Sequence, residues 1–364
     1  MSVRRGKKSL KSISLTVIAA FLVSLVIPSL PSYGDAVIPV QKGMCYATWE
    51  KDTFASQYSD LSLEKLSNLG VEYISLIVTR YQDSTSSTEI KITEQTPSDE
   101  SIKHVIKTAH KLGIKVMLKP HIDLIDKYDG TYCRSDIGFS NEKDWQTWFK
   151  SYKNFILHYA KIAEKLNVEI FCVGTELEFT TQRTDLWRNV ISQVKDDYKG
   201  KLVYAANWDE YPKVEFWQDL DFVGIDAYFP LSYDTNPSLE DLKKGWEKWK
   251  SEIEVFQARV NKPVIFTEIG YSSSAIAPSA PWQVVTSGNS DPDIQAKCYQ
   301  AFFETVWPSM WLAGVYWWKW DTNTKAGGAS NRQFTPQNKP AERVLEANYK
   351  GFRADRSVAM AKMK

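Results

Sequence analysis

Histidine and cysteine are scarce: the 364-residue chain carries four of each. Cys45, Cys133, Cys172 and Cys298 are too few and too scattered to staple a disulfide scaffold. No CxxC pair or Cys/His cluster marks a metal site, so neither a metal nor another cofactor is implied. Cys45 and Cys172 sit in apolar runs, where a thiol acts as a small hydrophobe. An excess of charge is missing as well. With 45 basic against 44 acidic side chains, no basic surplus is available for phosphates, which argues against a nucleic-acid partner. Long apolar runs are lacking after the first 35 residues, so the body of the chain holds no candidate for a bilayer span.

The one long apolar run reads as an export signal. MSVRRGKKSLK supplies a positive n-region, SISLTVIAAFLVSLVIP an apolar h-region, and Ser32-Tyr33-Gly34 places small residues before a cleavage point near Gly34. The alternative is an uncleaved anchor, for which the run is short against the ~20 residues of a spanning helix. Either way residues 35–350 are expected outside the cytoplasm, secreted or membrane-anchored. Residues 351–364 form a basic, small-residue tail expected to be disordered. Aromatics are plentiful, with 14 Trp, 18 Tyr and 16 Phe. A core can absorb many of these, and flat apolar faces such as sugar rings also call for them.

From residue 40 onward apolar runs alternate with helical periodicities. The strands are KGMCYATW, VEYISLIVTRYQD, IKVMLKPHID, VEIFCVG, KLVYAANW, DFVGIDAYFP, KPVIFTEIGY and GVYWWKWD. Helical patterns lie between them, for example Trp148, Phe149, Tyr152, Phe155, Ile156 and Tyr159, stepping by three and four. A short helix is expected around VEFWQDL, and a capping box at Ser238 and Asp241 opens another. Strands apolar on both faces belong to a parallel sheet covered by helices. Eight such units predict a single closed (β/α)8 TIM barrel, which needs ~250 residues or more. Nothing in composition divides residues 40–350, and a monomer is expected.

Active sites of such barrels lie at the C-terminal ends of the strands. The residues there are Trp49, Arg80, Lys119 and His121, Glu176 and Glu178, Asn207 and Trp208, Asp226 and Tyr228, Glu268, and the Trp317, Trp318, Trp320 group. This density of acids and aromatics exceeds that of a generic solvated rim. Glu176 and Glu268, after the fourth and seventh strands, face each other across a barrel mouth of this size. Two such carboxylates can flank one glycosidic bond, one as acid and the other as nucleophile or base. Arg80 and Tyr228 are candidates to hold Glu268 ionised. Glu176 then needs a setting that raises its pKa. Lys119, His121, Asn207 and Trp208 are candidate substrate contacts, and Asp226 either binds sugar or braces Tyr228. Alternation aims Trp318 into the mouth and Trp317 away, with Trp320 and Trp49 serving adjacent subsites. Glu178 is the weaker candidate for the acid.

KGMCYATW, VGTELE, GIDAYFPL, FTEIGY and YWWKWD together resemble glycoside hydrolase family 113, of clan A, over about residues 40–345. That family includes β-1,4-mannanases. The resemblance implies Glu176 as acid/base and Glu268 as nucleophile, with retention of configuration on a β-linked polysaccharide or oligosaccharide. Thr175 stands where the clan usually has Asn, leaving open how the sugar 2-hydroxyl is held. Two other classes fit parts of the pattern. A non-catalytic saccharide-binding barrel would use the aromatic mouth but not both acids. An aldolase-type barrel would form a Schiff base on Lys119 but needs neither glutamate.

Overall fold

The structure, a computed structural model, describes residues 40–126 and 133–351. The signal or anchor segment and the basic tail beyond residue 351 lie outside the described residues. Eight strands close into one parallel barrel in chain order: β1 Gln41–Ala47, β2 Tyr73–Gln82, β3 Lys115–Leu124, β4 Ile170–Thr175, β5 Lys201–Asn207, β6 Phe222–Asp226, β7 Val264–Ile269 and β8 Leu312–Asp321. The (β/α)8 architecture expected from the alternation is the one formed. Around it lie α1 Gln57–Asn68, α2 Asp99–Lys111, α3 Glu142–Lys165, the single turn α4 Glu178–Thr181, α5 Thr184–Asp197, α6 Leu239–Val260, α7 Pro292–Thr305 and α8 Pro340–Gly351. The short helix expected between β5 and β6 is replaced by two 3-10 turns, Tyr211–Lys213 and Trp217–Asp219. Pro212 stands at the start of the first turn, where its fixed φ suits a helical turn and its missing N–H is not needed.

Local signals set the helix ends. Ser56, Ser98 and Asn141 cap α1, α2 and α3 by accepting a backbone N–H three residues on. Ser238 and Asp241 form the capping box of α6. Gly70 and Gly113 take left-handed φ values of 84° and 76° just past α1 and α2, where a side chain would be strained.

The core has two layers. The barrel interior is small and compact, with Cys45, Met117, Ile170, Cys172, Val203, Ala205, Ile265, Ala313 and Tyr316. The larger layer, between strands and helices, takes most of the aromatic content. Trp148, Trp187, Trp246, Trp307, Trp317 and Trp320 are fully buried there, and Trp317 stacks on Tyr299 at 3.7 Å. Most of the tryptophan therefore serves packing rather than sugar binding. All four cysteines are free thiols. Among the described residues no helix is long and apolar enough to cross a membrane.

Ladder irregularities cluster on one side of the barrel. β2 and β3 pair without a break from Tyr73–Lys115 to Gln82–Leu124. Register shifts occur instead in β4–β5 between Cys172 and Thr175, in β6–β7 at Asp226, in β7–β8, and in β8–β1 between Met44 and Tyr46. Each extra residue flips the parity of the rest of its strand and re-aims those side chains, as bulges near active sites do.

Candidate active site

β3 shows what regular pairing delivers. Val116, Leu118, Ile122 and Leu124 join the helix-side core, so Met117, Lys119, His121 and Asp123 point inward, from barrel floor to rim. In β4 the irregularity places both Val173 and Gly174 on the helix side. A Cβ on Gly174 would lie 2.6 Å from the Trp187 ring and 2.9 Å from Tyr204. Thr175 turns inward, within 3.7 Å of the Cys172 thiol. Glu176 comes next with φ of 51°, a left-handed conformation that costs a non-glycine residue on the order of 1 kcal/mol. Its N–H donates to the Ala205 carbonyl at 2.8 Å, and the Leu177 N–H donates to the Tyr204 hydroxyl at 2.9 Å. The chain then enters α4, which carries Glu178 away to an ion pair with Lys213 at 2.6 Å. The extended path that would have aligned the two acids ends at Glu176.

In β7, Thr267 and Glu268 both face the interior across Asp226. The Glu268 carboxylate is buried and held from two sides. Lys119 Nζ donates to Oε1 at 2.5 Å, and Tyr228 Oη donates to Oε2 at 2.7 Å. Lys119 also donates to both Asp226 oxygens, at 3.0 and 3.1 Å, while the Thr267 hydroxyl donates to Asp226 at 2.7 Å. Burial alone would strip Lys119 of its proton. The Asp226 and Glu268 charges outweigh burial and hold its pKa above the ordinary lysine value. A Schiff base on Lys119 is thereby excluded, since a fully buried ammonium clamped between two carboxylates is not a nucleophile.

Glu176 has 17% of its side chain exposed. Burial raises its pKa, the Arg134 guanidinium opposes that, and the Glu268 charge raises it further. The two glutamates thus lie in each other's field. Arg134 Nη1 donates to Glu176 at 2.6 Å, Nη2 pairs with Asp123, and Nε donates to the Ile122 carbonyl at 2.9 Å. His121 lies 3.7 Å from Glu268 Oε1 by its Nε2, which has no hydrogen-bond partner among the described residues. Burial, Arg134 and Lys119 push its pKa well below the ordinary value, so the ring is neutral. Its plane is within 4° of that of Trp318, and Trp318 meets Trp49 edge-on at 6.4 Å. Lys319, joined to Trp318 by a cis peptide bond, places Nζ 4.3 Å over the Trp49 ring. A cavity of about 720 Å³ lined by Trp49, Tyr81, Thr93, Glu94, Asp123 and Ile125 continues from this side of the mouth.

The structure thus gathers Glu176, Glu268, His121, Tyr228, Trp318 and Trp49, with Asn207 half-buried at the rim in register with Asp226. Five expected site roles are corrected. Arg80 shares the parity of Ile74, Leu76 and Val78, so it faces the helices and lies over the Phe155 and Tyr159 rings. It does not hold Glu268; Lys119 does. Trp320 is fully buried, donates to Ser62 at 2.9 Å and packs under Lys65, because three steps of β8 oppose two of β1 and reverse its side. Trp208 shares the outward parity of Tyr204 and Ala206. It stacks on Trp282 at 5.8 Å and meets Phe229 and Trp249 edge-on. Lys119 and Asp226 do belong to the centre, but with no exposed side-chain surface they lie beneath Glu268 and out of reach of a sugar.

Three contributors escaped sequence reading. Arg134 and Lys319 are not strand-end acids or aromatics, and Arg134 comes from a 3-10 turn ten residues past β3. Glu210 is fully buried, accepting from Tyr204 Oη at 2.7 Å and from the Asn207 N–H at 2.9 Å. Burial pushes its pKa up to about 8. The acid doublet Asp209-Glu210 directly after β5 was the available signal.

A parallel barrel that sets two glutamates at the ends of β4 and β7 in one field, beside unburied aromatics, defines as a class the barrels that cleave glycosides. The comparisons specify which. The sequence profile of glycoside hydrolase family 113 matches residues 44–339. A β-1,4-mannanase of family 113, solved as a complex, is 30% identical over 85% of this chain and 99% of its own, with a TM-score of 0.77. The family 113 β-mannanase of Alicyclobacillus acidocaldarius, in complex with ManMIm, is 25% identical over 87% of this chain and 99% of its own, with a TM-score of 0.78. The β-glucuronidase of Ruminococcus gnavus, 13% identical with a TM-score of 0.54, shares the fold alone. Among curated proteins nothing matches. The chain belongs to glycoside hydrolase family 113. It is a carbohydrate-cleaving hydrolase, which sets aside the non-catalytic saccharide-binding barrel.

Proposed function

We propose that this enzyme cleaves β-1,4-linked mannan-type chains with retention, Glu268 acting as nucleophile and Glu176 as general acid/base. The observation that carries the assignment is the pair of donors on Glu268. Lys119 and Tyr228 fix both of its oxygens, while Glu176 sits in a setting that raises its pKa. In the first step a Glu268 oxygen bonds to the anomeric carbon. The bond from that carbon to the glycosidic oxygen breaks, and Glu176 gives its proton to the departing oxygen. In the second, Glu176 takes a proton from water, the water oxygen bonds to the anomeric carbon, and the ester to Glu268 breaks. Trp318 offers a flat face at the cleavage point, and the unpartnered His121 Nε2 offers a site for a sugar hydroxyl. The mannan preference rests on the two family 113 mannanases that this chain resembles. Export by residues 1–34 and action as a monomer belong to the same proposal.

Following the anomeric proton by NMR during hydrolysis of mannooligosaccharides tests retention. Azide rescue of the alanine variants tests the roles. E176A with azide should release a β-glycosyl azide, because azide replaces water in the second displacement. E268A should yield the α-azide by single displacement. The opposite pairing would reverse the assignment, and an inverted natural product would overturn it.

A further inference from the structure

Arg134 performs no bond-making step in this scheme, yet it is built into the centre more firmly than any surface arginine. Its guanidinium and Nε make three hydrogen bonds, to Glu176, Asp123 and the Ile122 carbonyl. Only 18% of its side chain is exposed. The planar fork ties the end of β3 to the residue just after β4. Glu176 itself sits in a strained left-handed conformation, so its carboxyl needs an external partner to fix its direction.

We propose that Arg134 is a positioning residue for Glu176, which shares its positive charge between Asp123 and Glu176 so that the acid/base can cycle between acid and carboxylate without leaving its place. The inference rests on the assignment of Glu176 above. As the proton passes to the departing oxygen, the new Glu176 carboxylate meets a guanidinium already in hydrogen-bond contact. No reorganisation is then needed before the same group draws a proton from water. The other charged or titratable groups in the field of Glu176 are Glu268, Lys119, Glu210, Asp226 and Tyr228. Among the described residues, none of these makes a hydrogen bond to its carboxyl group.

Sharing one cation between two carboxylates predicts shifts of opposite sign. The alkaline limb of kcat/KM reports loss of the acid's proton in the free enzyme. Arg134→Gln removes the cation that favours ionised Glu176, so that limb should move up by about one pH unit or more. Asp123→Asn removes the competing carboxylate and leaves Arg134 to Glu176 alone, so the limb should move down. Arg134→Lys keeps the charge but not the fork, and should leave the limb close to its original place while kcat falls. Profiles would be measured on mannooligosaccharides and on an aryl β-mannobioside whose nitrophenolate departs without protonation. On the aryl substrate the Arg134→Gln loss in kcat/KM should shrink at least about tenfold, since acid assistance is no longer required. Limbs that stay fixed, or that move the same way in Arg134→Gln and Asp123→Asn, would overturn the proposal. Should Arg134→Gln fail to fold, the downward shift in Asp123→Asn still decides. An E176A enzyme that kept full activity on mannooligosaccharides would sink the Glu176 assignment instead, separately from Arg134.

Discussion

Replacing Lys119 with Met removes the one ammonium beneath the nucleophile and keeps roughly its volume. Lys119 Nζ makes three contacts of 2.5 to 3.1 Å to Glu268 and Asp226, all without exposed surface on the lysine. Without it, two buried carboxylates face each other across β6 and β7 with Thr267, Tyr228 and His121 as neighbours. His121, kept neutral in the parent by burial, Arg134 and Lys119, loses one of those three causes. Breaking a buried pair from one side typically costs about 3–5 kcal/mol, because the remaining charges are uncompensated. The cluster relieves this by taking up a proton. An opposite charge at this distance is worth about 1–3 pH units, and losing it moves the acid limb of kcat/KM upward by about two. On the acid side of both limbs kcat/KM should then be lower by up to about 100-fold, and the loss should shrink as pH rises past the new limb. The melting temperature should drop by roughly 5–10 °C at neutral pH and by less in acid, where the spare carboxylate is already protonated. The assay is the pH dependence of kcat/KM on mannooligosaccharides with parallel thermal melts. A Lys119→Met enzyme with an unmoved acid limb and kcat/KM within threefold of the parent would refute the claim that Lys119 sets the state of Glu268.

Three further outcomes rest on the same geometry. Trp318→Ala should lower kcat/KM about 30-fold, mostly through KM, since truncating a central aromatic contact commonly removes about 2 kcal/mol of binding; an unchanged KM in steady-state kinetics would move the sugar platform elsewhere. Gly174→Ala forces a Cβ to within 2.6 Å of Trp187 and 3.0 Å of the Tyr152 hydroxyl. Overpacking there should cost about 1–3 kcal/mol in denaturant titration, and displacing Glu176 two residues on should lower kcat more than KM. Glu210, whose pKa is pushed up to about 8 by burial, keeps its proton in the folded chain over a range where the unfolded chain loses it. The native state then binds more protons than the unfolded one, so this group's contribution to stability falls as pH rises from about 4.5 to 8. Glu210→Gln cannot ionise, so the melting temperature of the variant relative to the parent should climb across that window. A difference independent of pH would show that Glu210 is charged in the fold.

The barrel itself was legible from one chain because it depends on coarse pattern. Apolar runs bounded by glycines and helix caps locate strands and helices whatever their fine register. Ser98, Gly113, Ser238 and Asp241 each act where the local chemistry says they should. The site was legible where the strand is regular. Lys119, His121 and Asp123 step inward along β3 as period two requires, and the sequence alone separates them from Leu118 and Ile122. What regularity did not reveal was depth. Lys119 lies one layer below His121, and that single step turns a candidate sugar contact into the counter-ion of Glu268.

Side-chain direction is lost where both faces of a strand are apolar and the ladder is bulged. In β2 the residues on either side of Arg80 are buried alike, so nothing in VTRYQ distinguishes the helix side from the barrel side. In β8 the same alternation that aims Trp318 into the mouth would aim Trp320 there too. The register shift against β1 sends Trp320 to Ser62 instead. In β7 a bulge brings Glu268 to the interior beside Thr267, and in β4 the irregularity turns Thr175 inward while the left-handed backbone at Glu176 sets that acid's direction; these shifts leave no compositional mark beyond Gly174, whose small size is needed against Trp187. Bulges therefore fall in the strands that deliver the two glutamates and Trp318, while β2–β3, which supplies the supporting cation and histidine, stays regular. A rigid regular half can hold the nucleophile's counter-charge while the bulged half sets the directions of the reacting groups. Fixing the register of β7, by deleting Thr267, should leave a folded barrel by circular dichroism with Glu268 shifted into the deeper place of Thr267 against Asp226, and without turnover of mannooligosaccharides.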